Sequence, residues 1–350
     1  MITEAVSLPV VVRRLARSER ARWDAFVRQC PNASFFHLSA WQDLIENFQG
    51  HDTYFLMAER GGEIVGVLPL AEVRSRLFGH SLSSLPFCVY GGVASTDLEA
   101  VLALEAEADR IARRLGVAHL EYRNVVGRHA EWPRQDLYVT FRKTLEQDEE
   151  ANMPAIPRKQ RAMVRKGIKN GLIAHRDDEV DRYFGVYADN VRRHGTPALA
   201  KRWFVGLRDA FGDDCEVMTV TTPDGAPLSS VMSFYFRDEI LPYYAGDLPA
   251  ARDLAANDFK YWSLMCRALE RGCRVFDYGR SKLGTGPYAF KKNWGFEPTP
   301  LSYEYRLYKR DSVPQNNPMN PKYRAFISLW QRLPLPVANR IGPLIVRNLG

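Results

Sequence analysis

The sequence predicts an α/β (α+β) protein of two related domains, each a mainly antiparallel mixed sheet flanked by helices, and three observations lead there. A length of 350 residues exceeds what one hydrophobic core organises. Helix-like and strand-like runs follow one another in the same order in both halves of the chain. The run GVAHLEYR (116–123) is echoed by GCRVFDYG (272–279), each reading as glycine stop, strand, acid, tyrosine after a helix.

The elements are justified in order. Residues 19–29 space Trp23 and Phe26 along one helical face, and PNAS (31–34) breaks that helix. A helix over 39–48 starts at Ser39 as N-cap and stops at Gly50. TYFLMAER and EIVGVLPLAEV read as a hairpin joined at Gly61 and Gly62. Residues 97–115 form a helix capped by Asp97 and stopped by Gly116, and strands follow at 117–123 and 137–145. In the second half, helices near 158–170, 179–193 and 198–211 precede three strands beginning at Cys215, Pro227 and Glu239. A helix over 255–271 places Phe259, Trp262, Met265, Cys266 and Leu269 on one face. The strand CRVFDYG, a short helix at 287–293 and a strand at 301–308 complete the set. The expected division is 1–146, 147–310 and a Pro-rich basic tail, 311–350.

Composition narrows the class. Apolar residues at 46% and charged residues at 25% exclude wholesale disorder. No run reaches the roughly 18 to 20 apolar residues of a spanning helix, and the first basic cluster follows its apolar stretch, the reverse of a secretory signal. A cytoplasmic protein is expected, with its tail as a candidate contact to the inner membrane. Five cysteines, an odd number without a CxxC pair, support neither a disulfide framework nor a metal site. The net charge of +7 is concentrated in two places. Residues 158–169 carry six Lys/Arg and no acid, and residues 311–350 carry five against Asp311. The remainder is close to neutral, which argues for local anionic contacts rather than a general nucleic-acid coat, so no DNA partner is expected.

The order strand, helix, strand, short helix, strand is also the layout of an N-acetyltransferase core. The segment FDYGRSKLGTGPYAFKKNWGFEPTPLSYEYRL, with IPRKQRAMVRKGIKNGL and SFFHLSAW, resembles the FemAB-like acyltransferases, and most of all the branch associated with exosortase and PEP-CTERM exopolysaccharide loci. The resemblance spans about residues 10–310. It implies tandem GNAT-like domains and transfer of an acyl or aminoacyl group to an amine on a cell-envelope precursor. Acyl-CoA and aminoacyl-tRNA are the two donors it leaves open.

Candidate site residues follow. Gly279, Gly284, Gly286 and Gly295 surround Arg280, Lys282, Lys291 and Lys292, a setting for phosphate or carboxylate as well as for an ordinary solvated loop. The family motif falls on Tyr288 to Phe296, which makes Tyr288 and Lys291 catalytic candidates, Lys291 as stabiliser of the donor or of a developing oxyanion. Asp277 would either accept a proton or bond the loop backbone. Asp277 and Tyr278 end a strand, Tyr244 and Gly246 end the preceding one, and these are candidates to line a cleft. Arg158, Arg161 and Arg165, with Lys169, form one helical stripe suited either to solvent or to a phosphate-bearing ligand. By the resemblance, acceptor binding lies near His37, Tyr90 and Gly91. The stretch 249–258 has no glycine where an acetyl-CoA enzyme carries its pyrophosphate loop, so coenzyme A is not signalled there. Arg324, Arg332, Arg340 and Arg347 alternate with apolar stretches in the tail, which suits either an anionic membrane surface or the protein's own flank. The expected partners are a phosphate-bearing donor and an amino-sugar or lipid-linked precursor. The rival expectation is a non-catalytic binding or assembly protein of exopolysaccharide synthesis.

Overall fold

The computed structural model describes residues 8–75, 79–314 and 324–348. In chain order the first elements are β1 (Val11–Arg14), α1 (Arg20–Gln29), α2 (Ala40–Leu44), β2 (Thr53–Arg60), β3 (Glu63–Ser75), β4 (Gly79–Ser84), α3 (Leu98–Leu115), β5 (His119–Asn124) and β6 (Arg134–Gln135). Next come β7 (Tyr138–Thr144), α4 (Glu149–Ala155), α5 (Arg158–Lys169), β8 (Ile173–Asp177), α6 (Asp181–Arg193), α7 (Lys201–Phe211), β9 (Cys215–Thr221), β10 (Pro227–Phe236) and β11 (Glu239–Asp247). The last are α8 (Ala251–Leu254), α9 (Ala256–Glu270), β12 (Val275–Asp277), β13 (Ser281–Lys282), α10 (Gly286–Asn293), β14 (Pro298–Pro300), β15 (Ser302–Leu307), α11 (Arg324–Arg332) and α12 (Leu335–Val346).

Two sheets result, with the same plan. The first runs β1-β2-β3-β4-β5-β15-β6, antiparallel except where β4 and β5 lie parallel, Ser81 opposite His119. The second runs β13-β7-β12-β11-β10-β9-β8, again antiparallel except for the parallel pair β11 and β12. A helix joins each parallel pair, as such a crossover requires: α3 in the first sheet and α9 in the second. The mixed, mainly antiparallel sheets flanked by helices match the predicted fold class.

The division of the chain differs from the expected one. The first compact unit holds the described residues up to Asp136 together with Leu301–Pro314, and the second begins at Leu137. The strand expected at 137–145 lies in the second sheet, where Asp277 pairs with Arg142, and the strand expected at 301–308 lies in the first, where Ser302 pairs with Asn124. The two final strands are exchanged in sequence relative to a simple duplication. A break at 146 therefore falls too late, and α4 occupies the stretch read as a linker. Its N-cap Asp148 accepts from Ala151 N–H at 2.8 Å, a local signal obscured by the acid-rich composition.

Within the first unit, Leu104, Ala108 and Ile111 of α3 cover Leu56, Leu68, Leu82 and Leu120 of the sheet. Asp97 caps α3 as expected, accepting from Ala100 N–H at 3.1 Å. The helix expected over 39–48 is instead a short α2 followed by a π turn over Ile45–Gln49, which Gly50 ends. Ser39 is drawn away from capping because its N–H and hydroxyl both donate to Asp24, at 2.7 and 2.8 Å.

In the second unit α9 is buried on more than the one expected face. Trp262, Leu264, Met265 and Ala268 join Phe141, Val231, Ile240 and Phe276 in the core. Phe259 faces α5, where a Cβ on Gly167 would lie 2.7 Å from the Phe259 Cβ, so only glycine allows that helix approach. The tail beyond 323 forms α11 and α12. Pro318 and Pro321 lie outside the described residues.

Candidate active site

The second sheet opens at its parallel pair. β11 is nine residues long, yet its register with β12 covers only Glu239 opposite Val275 and Ile240 opposite Phe276. The strands part beyond that point. In the ladder to β10, Met232 faces Tyr244 and Ser233 faces Pro242, which leaves Tyr243 as an extra, bulged residue. A bulge adds twist and re-aims the strand, here at the start of the gap.

The turn after β12 is fastened from two sides. Asp277 is buried, and its Oδ1 accepts from Gly279 N–H at 2.7 Å while Arg142 Nε lies 3.6 Å from Oδ2. Lys291, on α10, donates to the carbonyls of Tyr278, Gly279 and Arg280 at 2.7, 3.0 and 3.1 Å. Three donors meet three acceptors. In this conformation Lys291 holds the loop, and Asp277 bonds the loop backbone. Burial pushes the Lys291 ammonium down to about 7, with Arg280 adding to the effect and Asp277 opposing it.

Arg280 and Lys282 both lie over the Tyr138 ring, at 4.4 and 5.7 Å from its centroid. Burial and the neighbouring Arg280 lower the Lys282 ammonium to about 8. Tyr288 packs edge-on to Phe141, 5.5 Å between centroids. Tyr244 stands apart from this loop, in a cluster with Tyr187, Tyr243 and Phe204, and Trp203 Nε1 donates to its hydroxyl at 3.3 Å.

Three side chains missed in the sequence, Asp247, Asp258 and Lys260, stand near this turn, beside Tyr278. Lys260 on α9 is fully buried, 3.1 Å from Asp247 Oδ1 at the end of β11, and burial lowers its pKa. Asp258 accepts from the Trp294 indole at 3.0 Å, and burial raises its carboxyl to about 6, with Asp247 adding to the rise. Tyr278 is buried among Tyr261, Phe276 and Phe296, and its hydroxyl has no hydrogen-bond partner among the described residues. An Asp and a Lys on an apolar helix signal burial only once their partners, remote in sequence, are known. The acid-tyrosine pair 277–278 was legible as a strand end.

The glycine-free stretch before α9 is occupied by the one-turn α8. Ala255 then takes the left-handed conformation, φ 60°, that a glycine would adopt more readily. An L-residue there costs about 1 to 2 kcal/mol. Ala255→Gly is therefore expected to raise stability by about 1 kcal/mol, read as a higher urea midpoint at unchanged slope.

On α5, Gln160, Val164 and Gly167 face inward and Arg158, Lys159, Arg165, Lys166 and Lys169 are exposed, with Arg161 half-buried. None of these six cations has an ion-pair partner among the described residues. The unit-one candidates gather elsewhere. His37 is buried, its Nδ1 accepting from Ser34 N–H at 3.1 Å, which leaves Nε2 to donate to the Gly92 carbonyl at 3.2 Å. Tyr90 packs on Phe36, and Gly91 N–H donates to the Arg123 carbonyl at 2.9 Å. These three residues stabilise the segment 84–92 against β5.

Residues 155–292 match the family described as an acetyltransferase (GNAT) domain. The matched stretch spans α5, the parted strands β11 and β12, and Lys291. No curated protein matches the chain. Among solved structures, FemX is similar at 16% identity and TM-score 0.68, covering 91% of this chain and 100% of that one. L-PGS from Bacillus licheniformis is similar at 13% identity and TM-score 0.55, covering 89% and 96%. A tandem GNAT protein from the clavulanic acid biosynthesis pathway gives 15% identity and TM-score 0.51, covering 87% and 100%. At such identities the likeness is one of fold, and it is to tandem GNAT-fold proteins.

Proposed function

We propose that the protein is an N-acyltransferase that moves an acyl or aminoacyl group from an activated, phosphate-bearing donor to an amine of a cell-envelope polysaccharide or peptidoglycan-type precursor. The observation that carries this reading is the parting of β11 and β12 in the GNAT domain, beside the bulge at Tyr243 and the buried, partnerless Tyr278 hydroxyl. An extended donor lying along the gap would place its carbonyl near fixed main-chain dipoles. Leaving a buried hydroxyl unsatisfied costs about 1 to 3 kcal/mol, and a hydrogen bond to the donor removes that cost.

The chemistry needs no covalent enzyme intermediate. The acceptor amine forms a C–N bond to the carbonyl carbon, the thioester or ester bond breaks, the amine loses a proton and the leaving thiolate or alkoxide gains one. In this reading Tyr278 is the candidate to donate toward that oxygen or sulfur, on the support of its buried hydroxyl. Tyr278→Phe should lower turnover by about tenfold or more without lowering the melting temperature; a variant as active as the parent removes Tyr278 from the reaction.

The exposed cations of α5 suit the phosphates of acyl-CoA or of aminoacyl-tRNA. Arg161→Ala with Arg165→Ala is expected to weaken donor binding about tenfold or more, with the thermal melt unchanged. Titration of acyl-CoA and charged-tRNA mimics at two salt concentrations checks this, and unchanged affinity for both would remove α5 from the donor site. The affiliation with the exosortase and PEP-CTERM branch is part of the same proposal and concerns the acceptor. Mass spectrometry of envelope precursors from cells with and without the protein tests it through a lost acyl mass. If no donor stabilises the protein and no acyl mass is lost, a non-catalytic assembly role takes its place.

A further inference from the structure

The two helices after residue 323 rest on the second unit by one face only. Ile327 meets Gly195, where a Cβ would lie 2.3 Å from the Ile327 Cγ2, and Gly342 sits against the Ala198 carbonyl, 2.9 Å from an added Cβ. Trp330 and Ala338 are buried on that same inner side. Arg192 donates to the Gln331 carbonyl at 2.8 Å, and the Gln331 amide donates back to the Arg193 carbonyl at 2.9 Å. The pair of helices is therefore a fixed part of the surface.

Their outer side is unusual. Phe326 and Leu329 on α11, and Val337, Ile341 and Leu344 on α12, are exposed, Leu329 to 64% and Leu344 to 60%. Among the described residues fifteen large apolar side chains are exposed, and a third of them lie in these two helices. A single exposed leucine needs no explanation, but a clustered set marks an interaction surface. Spacings of four and three along Val337, Ile341 and Leu344 place these side chains in one row. Arg340 and Arg347 are exposed beside that row and Arg332 ends α11, while residues 324–348 contain no acid.

We propose that this face docks on an anionic lipid bilayer. The apolar row enters the boundary between headgroups and acyl chains, and the arginines meet lipid phosphates. Charge complementarity selects this occupant: an all-cationic rim repels a second copy of itself but matches an anionic surface. Insertion is shallow by necessity. α11 has nine residues and α12 twelve, and no helix among the described residues is long and apolar enough to cross a membrane. A polar or lipid-linked substrate at the bilayer surface would then be met by an enzyme already held there. The proposal stands on the helices alone and does not depend on the acyl-transfer reading.

Flotation of the full chain with vesicles tests it. The protein should rise with vesicles containing roughly 30% phosphatidylglycerol and stay behind with phosphatidylcholine alone, and raised salt should weaken the association. The double variant Leu329→Glu, Leu344→Glu, folded by circular dichroism, should lose about 90% or more of the floated fraction. Arg161→Ala with Arg165→Ala should float like the parent, which separates this face from the cations of α5. Absence of flotation, equal flotation of the double variant, or loss of flotation only in the α5 variant overturns the proposal. So does a parent that sediments as a dimer and a double variant that sediments as a monomer, since a second copy would then cover the face.

Discussion

Lys291→Met is expected to abolish transfer and to loosen the turn at 278–280. Methionine keeps the length and apolar stem of the side chain but leaves three carbonyls without the ammonium that now meets them at 2.7 to 3.1 Å. Losing hydrogen bonds in a buried setting should cost about 2 to 4 kcal/mol at pH 7. The cost also depends on pH. Burial lowers the folded-state pKa of Lys291 from 10.5 to about 7. Between those values the unfolded chain binds a proton that the folded chain does not, so this group makes stability rise with pH. The gain is absent below about pH 7 and approaches about 2 to 3 kcal/mol by about pH 9. The parent should therefore show this rise and the methionine variant should lack it, so the difference between them widens from pH 7 to pH 9. Thermal melts at the two pH values, with hydrogen exchange at residues 278–284, report both effects. A variant that melts like the parent, exchanges no faster and still transfers would show that the ammonium neither holds the turn nor serves the reaction.

Gly91→Ala should be the most damaging single methyl addition in the first unit. An added Cβ would lie 1.7 Å from the Ser84 carbonyl oxygen, a backbone atom that cannot swing away. The neighbouring Gly92 has φ 88° and its Cβ would lie 1.9 Å from Asn124 Oδ1. Relief requires moving the segment 84–92 off β5, which breaks the bond from Gly91 N–H to the Arg123 carbonyl and displaces the Gly92 carbonyl from His37. A loss above about 3 kcal/mol is expected, equivalent to a fall of several degrees in melting temperature. Calorimetry of the variant checks it; a melt within a degree or so of the parent would mean the segment is free to shift.

Much of the fold could be read from the residues because the signals were local. Asp97 and Gly116 bracket α3, and alternation marks the hairpin of β2 and β3. Strand membership was not legible, because β7 and β15 each follow a strand they do not pair with, and only long-range register decides that. Ser39 looked like a cap until Asp24, fifteen residues earlier, competed for its donors. The loop around Lys291 was found by its glycines and cations. Its geometry was not, since three main-chain carbonyls converging on one amine leave no trace in side-chain identity. Asp258 and Lys260 were passed over for the opposite reason: each sits on a largely apolar helix, and its partner appears only in three dimensions.

The exchange of β7 and β15 has a consequence for synthesis. The edge of β5, every residue of which ends up buried, receives its neighbour only when residues 302–307 have left the ribosome. At translation rates of roughly 5 to 20 residues per second, that edge waits on the order of 10 to 35 s after its own emergence. Throughout that interval the nascent N-terminal half presents an open strand template, so a chaperone that shields sheet edges would govern the yield of this chain more than its final stability does.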